Sequence, residues 1–178
     1  MLRAQTAPRT RPIDGSRRSS SRCRADSEHV AAICYRVRKR EVEFLLVQSR
    51  AGRWTFPKGR VENDLSRAAA AAREAVEEAG AYGRVDLRPF ASYVHAKNPE
   101  WHESPNEHVV DAHLCEVFEL ESPEETYRNP TWFSVERSKT RLHHKRLLAY
   151  GQELAKVVDH AVEHIARRHL SRGRKASR

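Results

Sequence analysis

Hydrophobic and polar positions along the chain predict a sheet built from several short strands. A first apolar run covers residues 29–37 and a second covers 42–48, and the charged residues between them are typical of a hairpin turn. Residues 84–96 contain further strand-like pieces. A longer segment at 109–118 carries apolar residues on both of its alternating faces, which predicts a strand covered on both sides.

Two other segments have the pattern of helices. Five alanines at 68–72 favour a helix that continues to Ala79, and Asp64 or Ser66 is suited to cap its start. Ser134 is a suitable cap for a closing helical segment. A long C-terminal helix is predicted from apolar residues at seven- and four-residue steps, namely Leu147, Leu154, Val158 and Ile165.

Length and composition indicate one soluble domain. The chain has 178 residues, of which 39% are hydrophobic, and this is enough for one ordinary core. It contains no apolar run near the ~20 residues of a membrane span, so we expect no membrane partner. Cys34 and Cys115 occupy apolar strand patterns and lack metal-like spacing, which suits a reducing, cytoplasmic location.

The net charge of +9 is concentrated in the two ends of the chain. Residues 1–28 carry seven arginines against three acids, and residues 164–178 carry six basic residues and no acid. The body, residues 29–163, holds 20 basic and 21 acidic residues and is nearly neutral. We therefore expect a disordered basic N-terminal tail, a domain at 29–163 that includes the C-terminal helix, and a basic C-terminal tail. Such tails would bind nucleic acid weakly and in a salt-dependent way, and the Arg- and Ser-rich N-terminal tail is also compatible with organelle targeting.

The most informative pattern is a glycine followed by three carboxylates on one helical face. Gly59 ends an extended segment, and Glu74, Glu77 and Glu78 follow on the predicted helix. At about 100° per residue, the two later glutamates lie within roughly 60° of Glu74 around the helix axis. Three like charges so close repel one another unless a cation neutralises them. Carboxylate oxygens suit Mg²⁺ or Mn²⁺, which bridge to substrate phosphates.

This segment resembles the Nudix box, a pattern of one glycine, spaced glutamates and a final glycine. Six of its fixed residues stand in register over 22 positions: Gly59, Arg73, Glu74, Glu77, Glu78 and Gly80. Three positions depart from it, because Leu65 replaces the first glutamate and Ala75 and Ala81 fill the two aliphatic positions. In the family the first glutamate supports the arginine. We therefore hypothesise that Glu62 or Asp64 takes over as the partner of Arg73.

The resemblance implies both a fold and a reaction. The fold would be α+β, an α/β/α sandwich with a mixed β-sheet flanked by helices and a long C-terminal helix. The reaction would be hydrolysis of a phosphoanhydride bond with Mg²⁺ or Mn²⁺ as cofactor. Glu74, Glu77, Glu78 and the Gly59 carbonyl would hold the metal, Glu74 or alternatively Glu77 would act as the base, and Arg73 would orient a carboxylate.

Several cations near the glycine turn are candidates for contacts with substrate phosphates. They are Lys58, Arg60, Arg50 and Arg53, together with Lys145 in a basic cluster near the start of the C-terminal helix. Outside the box, residues 30–150 resemble the diphosphoinositol and diadenosine polyphosphate phosphohydrolase branch of the family. The expected partner is thus a phosphorylated small molecule, either a nucleoside diphosphate derivative, a dinucleoside polyphosphate or a diphosphoinositol polyphosphate.

Two other functions stay open at this point. The loss of the first glutamate at Leu65 is compatible with a catalytically weakened module that binds a ligand or regulates a partner. The basic tails are compatible with a pyrophosphohydrolase that acts on RNA 5′ ends. The apolar face of the C-terminal helix packs on the body or on a second copy in a homodimer, and Trp101, in an aperiodic loop, is a candidate for stacking on a base.

Overall fold

The computed structural model describes residues 28–62, 64–96 and 107–176. Eight strands and three helices follow one another in this part of the chain. They are β1 (His29–Arg38), β2 (Glu41–Gln48), β3 (Trp54–Thr55), β4 (Lys58–Arg60), α1 (Arg67–Ala79), β5 (Ala81–Val85), β6 (Ala91–Ala96), β7 (Glu107–Leu120), β8 (Thr131–Ser134), α2 (Val135–His143) and α3 (Leu148–Ala176). A short 3-10 turn, Thr126–Arg128, precedes β8.

The eight strands form one mixed sheet. Its central order is β3-β2-β1-β7-β5, while β4 pairs with β1, β6 pairs with β7 and β8 pairs with β2. Only the pairing of β1 with β7 is parallel among the described strands, and the predicted hairpin is the antiparallel pair of β1 and β2. The mixed sheet that the family resemblance implies is therefore confirmed.

Side chains of β1 alternate between two hydrophobic cores, one on each face of the sheet. Val30, Ala32 and Cys34 pack with the buried alanines of α1. Ile33 and Tyr35 point the other way and pack with α2 and α3. Because helices cover both faces, the architecture is the predicted α/β/α sandwich.

Helix α1 lies close to the sheet because its buried face is made of small residues. Ser66 caps its start, where the Ser66 hydroxyl oxygen accepts a hydrogen bond from the Ala69 N–H at 3.2 Å. Gly80 ends it in the left-handed conformation, at φ 61°, and a side chain there would collide with the backbone of Glu121. The predicted helix and its cap are thus confirmed, and the cap is Ser66 rather than Asp64.

The C-terminal helix extends beyond residue 163, where the sequence predicts that the domain ends. The predicted basic tail begins at residue 164, whereas α3 continues without interruption to Ala176. Ile165 is buried, and Arg168 forms an ion pair with Asp86, so the body of the protein holds this part of the helix. Leu154 and Val158 are buried as predicted, but Leu147 precedes the helix and is exposed.

Some expectations concern residues outside the described ranges. The predicted disordered tail is residues 1–28, of which 1–27 lie outside the described ranges, and Trp101 lies in the segment 97–106, which is also outside them. Over the part of the chain that the structure covers, the helices lack the combination of length and apolar character that crossing a bilayer requires.

The Ser66 cap generates a test of fold stability. We expect Ser66→Ala to lower the free energy of unfolding by about 1 kcal/mol, because the Ala69 N–H loses its partner. Ser134 offers a matched control, since it stands at the N-cap position of α2 without a side-chain cap hydrogen bond. Urea unfolding of both variants should show the larger loss for Ser66→Ala. Equal losses would contradict the assigned cap.

Candidate active site

Helix α1 brings two buried carboxylates and one partly exposed carboxylate to the edge of strand β4. Glu74 and Glu78 stand one helical turn apart, with relative exposures of 8% and 5%. Glu77, by contrast, has a side chain that is 37% exposed. The sequence therefore predicted the shared face correctly, but the three side chains differ in their access to solvent.

Gly59 lies directly against the carboxylate of Glu74. A Cβ atom at residue 59 would overlap the Glu74 carboxylate group, whose Oε2 it would approach to 2.7 Å. The backbone at this glycine is not in the left-handed region, so close approach explains the requirement for glycine. The glycine therefore allows strand β4 and helix α1 to approach each other closely at the predicted site.

The Glu74 carboxylate lies in an environment that disfavours its charge. Burial, followed by the negative charges of Glu78 and Glu77, raises the pKa of Glu74 from 4.5 to about 7. Among the described residues, none donates a hydrogen bond to this carboxylate or forms an ion pair with it. An acidic group of this kind has a strong electrostatic preference for a bound cation.

Glu78 has partners that Glu74 lacks. The Lys58 N–H donates a hydrogen bond to Glu78 Oε2 at 3.2 Å, and Arg128 forms an ion pair with Glu78 Oε1. Burial raises the pKa of Glu78, while the charges of Arg128 and Lys58 lower it and so offset part of that rise. Arg128 also pairs with Glu125 and is therefore the cation that links the 3-10 turn to α1.

Arg73 joins the helix to the turn before it. Its Nη1 atom lies 2.6 Å from Glu62 Oε2, and its Nε atom lies 3.3 Å from Glu77 Oε1. The hydrogen bond from Arg73 lowers the pKa of Glu62. Leu65, which stands where the box has its first glutamate, packs against the core beneath α1 instead. The structure thus confirms the hypothesised partner of Arg73 and identifies it as Glu62.

The donor set suits a hard divalent cation, but arginines hold part of it. Over the described ranges, no group of three or more His, Cys, Asp or Glu side chains is assembled with metal-ligand spacing. The reason is visible in the ion pairs, because Glu77 is turned to Arg73 and Glu78 to Arg128. Carboxylate oxygens on adjacent turns remain the right chemistry for Mg²⁺ or Mn²⁺. Glu74, Glu77 and Glu78 would hold the ion, with Glu74 as the available first ligand.

Four of the five predicted substrate-binding cations fall into three places. Lys58 and Arg60 line one cavity of about 170 Å³ next to Gly59. Arg50 lies over the Tyr127 ring at 5.0 Å, next to the 3-10 turn that carries Arg128. Arg53 lies close enough to Arg146 for its charge to lower the pKa of that group, although burial is the larger cause. The structure therefore brings together only part of the predicted set.

Lys145 stands apart from the other predicted cations. It is exposed in the turn between α2 and α3, where its φ is 57°. No contact among the described residues joins it to the carboxylates. Its neighbour Arg146 is the inward-facing member of the basic cluster, and its guanidinium donates to the Trp54 carbonyl at 2.6 Å.

Two groups of residues beside the site are absent from the set predicted from the sequence. Arg128 belongs to no motif and stands 50 residues after Glu78, so nothing in its local sequence marks it as the partner of that carboxylate. His29, His95 and His108 line the same cavity as Lys58 and Arg60. The sequence signal for these histidines was weak, because their spacings match no common metal-ligand pattern.

Comparison with known proteins identifies the family. The NUDIX domain model matches residues 27–150. The chain belongs to the NUDIX family. Membership of this family supports a hydrolase of phosphoanhydride bonds, as the box predicted. A comparison with curated protein sequences gives no match.

Solved structures share the fold at low sequence identity. An Ap4A hydrolase from C. elegans, solved as a binary complex, has a TM-score of 0.57 and 19% identity, and the match covers 79% of this chain and 98% of that one. The NUDIX domain of Shewanella oneidensis NrtR, complexed with ADP ribose, has a TM-score of 0.57 and 14% identity over 77% and 86% of the two chains. A NUDIX hydrolase from Nitrosomonas europaea has a TM-score of 0.57 and 19% identity over 76% and 88%. At these identities the comparisons establish the fold.

The contact between Arg73 and Glu62 gives a first test of the site. We expect Glu62→Gln to lower the catalytic efficiency of phosphoanhydride hydrolysis by about tenfold, because Arg73 would no longer be held beside Glu77. Asp64→Asn is the control, since Asp64 lies in the same turn and is exposed. If kcat/KM responds equally to both changes, the assignment of Glu62 is wrong.

The raised pKa of Glu74 predicts a pH dependence of stability in the metal-free protein. An acid with a raised folded-state pKa contributes stability below its unfolded pKa of 4.5, and this contribution is lost as the pH rises through about 7. Between pH 4.5 and 8 in EDTA, the free energy of unfolding of wild type should fall by about 2 kcal/mol more than that of Glu74→Gln, after allowance for solvent screening. Urea unfolding at both pH values measures the difference. A Glu163→Gln control should behave like wild type. An equal fall in the free energy of unfolding for all three proteins would contradict the prediction.

Proposed function

We propose that this protein is a divalent-metal-dependent pyrophosphohydrolase that cleaves a phosphoanhydride bond in a phosphorylated small molecule. The observation that carries the proposal is the pair of buried carboxylates, Glu74 and Glu78, held by α1 against Gly59. A protein gains nothing in stability from burying two like charges side by side, so the pair indicates a cation-dependent function. The cofactor would be Mg²⁺ or Mn²⁺.

The surroundings of each residue suggest its role in the proposed reaction. When bound, the cation neutralises phosphate oxygens and activates a water molecule. Glu74 is the first candidate for the base, because no described residue pairs with its carboxylate, whereas Glu77 and Glu78 pair with arginines. Arg73, fixed by Glu62, keeps Glu77 in place at the exposed side of the helix. Glu77 is the alternative base.

Cations on both sides of the carboxylates favour a substrate with several phosphates. Lys58 is half-buried, and burial lowers its pKa while Glu78 and Glu74 raise it. Arg50 and Arg128 stand at the other side, by Tyr127. Dinucleoside polyphosphates and diphosphoinositol polyphosphates both carry several phosphates. We favour dinucleoside polyphosphates, since C. elegans Ap4A hydrolase shares the fold over nearly its whole length.

A second candidate function is ligand binding without hydrolysis. It is favoured by the ion pairs that hold Glu77 and Glu78 and by Leu65 in place of the first glutamate. The NUDIX domain of NrtR, which was solved with ADP ribose, has the same fold. Homodimerisation, weak nucleic-acid binding through the basic ends and action on RNA 5′ ends stay predictions from the sequence.

Hydrolysis assays separate the two candidates. We expect wild type to release phosphorylated products from diadenosine tetraphosphate with Mg²⁺ or Mn²⁺, and to lose this activity in EDTA. Glu78→Gln should lower kcat by about 100-fold, which corresponds to about 2.7 kcal/mol. Glu163→Gln, an exposed change on α3, is the control and should leave kcat unchanged.

Two results would contradict the proposed hydrolase or its site. Binding of ADP ribose or diadenosine tetraphosphate without turnover, across dinucleoside polyphosphates, nucleotide sugars, diphosphoinositol phosphates and capped RNA, would support the ligand-binding function. Equal turnover by wild type and Glu78→Gln would exclude the proposed site.

A further inference from the structure

Three histidines and two cations meet at the end of the sheet where β1 begins. His29 pairs with Arg60 across β1 and β4, and His95 pairs with His108 across β6 and β7. Partners across antiparallel strands lie on the same face of a sheet. Lys58 stands two residues before Arg60 and so shares its face. Four strands therefore direct five basic or imidazole side chains into one place.

These side chains line a cavity of about 170 Å³, which we call the histidine cavity. Among the described residues, Gly59 and Val110 complete the lining. No carboxylate is among the described residues that line it. The volume is several times the roughly 30 Å³ share of one water molecule, so it has room for a phosphate group.

The imidazoles are held in fixed positions. The rings of His29 and His108 stack with centroids 4.4 Å apart and an angle of 22°. His95 Nδ1 lies 2.6 Å from the Tyr150 hydroxyl oxygen, which ties it to helix α3. Fixed rings present their N–H groups at defined positions, which is the arrangement that an anion with several acceptor oxygens requires.

The electrostatics of the cavity point to an anion as well. Burial, followed by the charges of Lys58 and Arg146, lowers the pKa of His95 to about 3. Burial, followed by His108 and Arg60, lowers the pKa of His29. The charges of Lys58 and Arg60 therefore reach the imidazoles. Glu28 pairs with Arg60 outside the cavity lining, and a phosphate would bring negative charge into the cavity itself.

Strand β4 separates the histidine cavity from the carboxylates and also connects the two. Gly59 faces Glu74, whereas Lys58 and Arg60, its neighbours in the strand, face the other side of the sheet. The Lys58 N–H nevertheless donates to Glu78, and the Lys58 charge acts on both Glu78 and His95. A polyphosphate that crosses the edge of β4 would reach both places.

We propose that the histidine cavity binds a phosphate group of the substrate that is not part of the bond being cleaved. It would thereby select substrates with more than two phosphates. The link to turnover rests on the proposed hydrolase function, whereas the binding of an anion in the cavity does not.

A binding experiment tests the cavity without catalysis. Full-length protein in EDTA is titrated with inorganic tripolyphosphate, and the imidazole signals are followed by NMR. We expect the signals of His29, His95 and His108 to shift together, while that of His160, an exposed residue on α3, stays in place. Shifts confined to other histidines, or none, would overturn the proposal.

Variants connect the cavity to substrate choice. His108→Asn should weaken tripolyphosphate binding about tenfold and raise the KM for diadenosine tetraphosphate by a similar factor. The KM for ADP ribose, which has two phosphates, should rise less than the KM for diadenosine tetraphosphate. His160→Asn is the matched control. If His108→Asn lowers the thermal stability, His95→Gln provides a second variant that alters another wall of the cavity.

The outcomes distinguish this proposal from the proposed function. Tripolyphosphate binding at the three histidines without hydrolysis of any substrate would contradict the hydrolase function and leave the anion site standing. Hydrolysis with equal changes of KM for both substrates in His108→Asn would overturn the selective role of the cavity.

Discussion

The close contact between Gly59 and the carboxylate of Glu74 is the constraint on which the rest of the site depends. It fixes the distance between β4 and α1, because any side chain at residue 59 would displace Glu74. The alanine face of α1 permits this distance by letting the helix lie close on the sheet. Burial of Glu74 and Glu78 follows from the same geometry, and their mutual repulsion creates the demand for a cation.

Strand β4 organises charge on both of its sides. Its glycine faces the carboxylates of α1, and its two basic residues face the histidine cavity. Arginines supplied by other segments balance the acidic side, with Arg73 held by Glu62 and Arg128 placed by the 3-10 turn. The negative and positive halves of the site are therefore only one strand apart, which suits a ligand that carries both metal-bridging and free phosphates.

Local patterns predicted the strands, the capped helix and the shared face of the glutamates, because each depends on spacing within one element. Glu62 was also within reach, since it lies in the turn that leads into α1. Arg128 and the three histidines were not, because their roles arise from pairings between distant segments. The end of α3 was misplaced for a related reason, since Ile165 and the ion pair of Arg168 with Asp86 hold a basic segment that resembles a tail by composition.

Direct measurement of metal binding tests the central claim, that α1 and Gly59 form a divalent-metal site around Glu74. Mn²⁺ titrations of the full-length protein, followed by electron paramagnetic resonance, report free and bound ion without any substrate. We predict that Glu74→Gln weakens Mn²⁺ binding at least about tenfold, while Glu163→Gln binds like wild type. Equal affinity in wild type and Glu74→Gln would contradict the account.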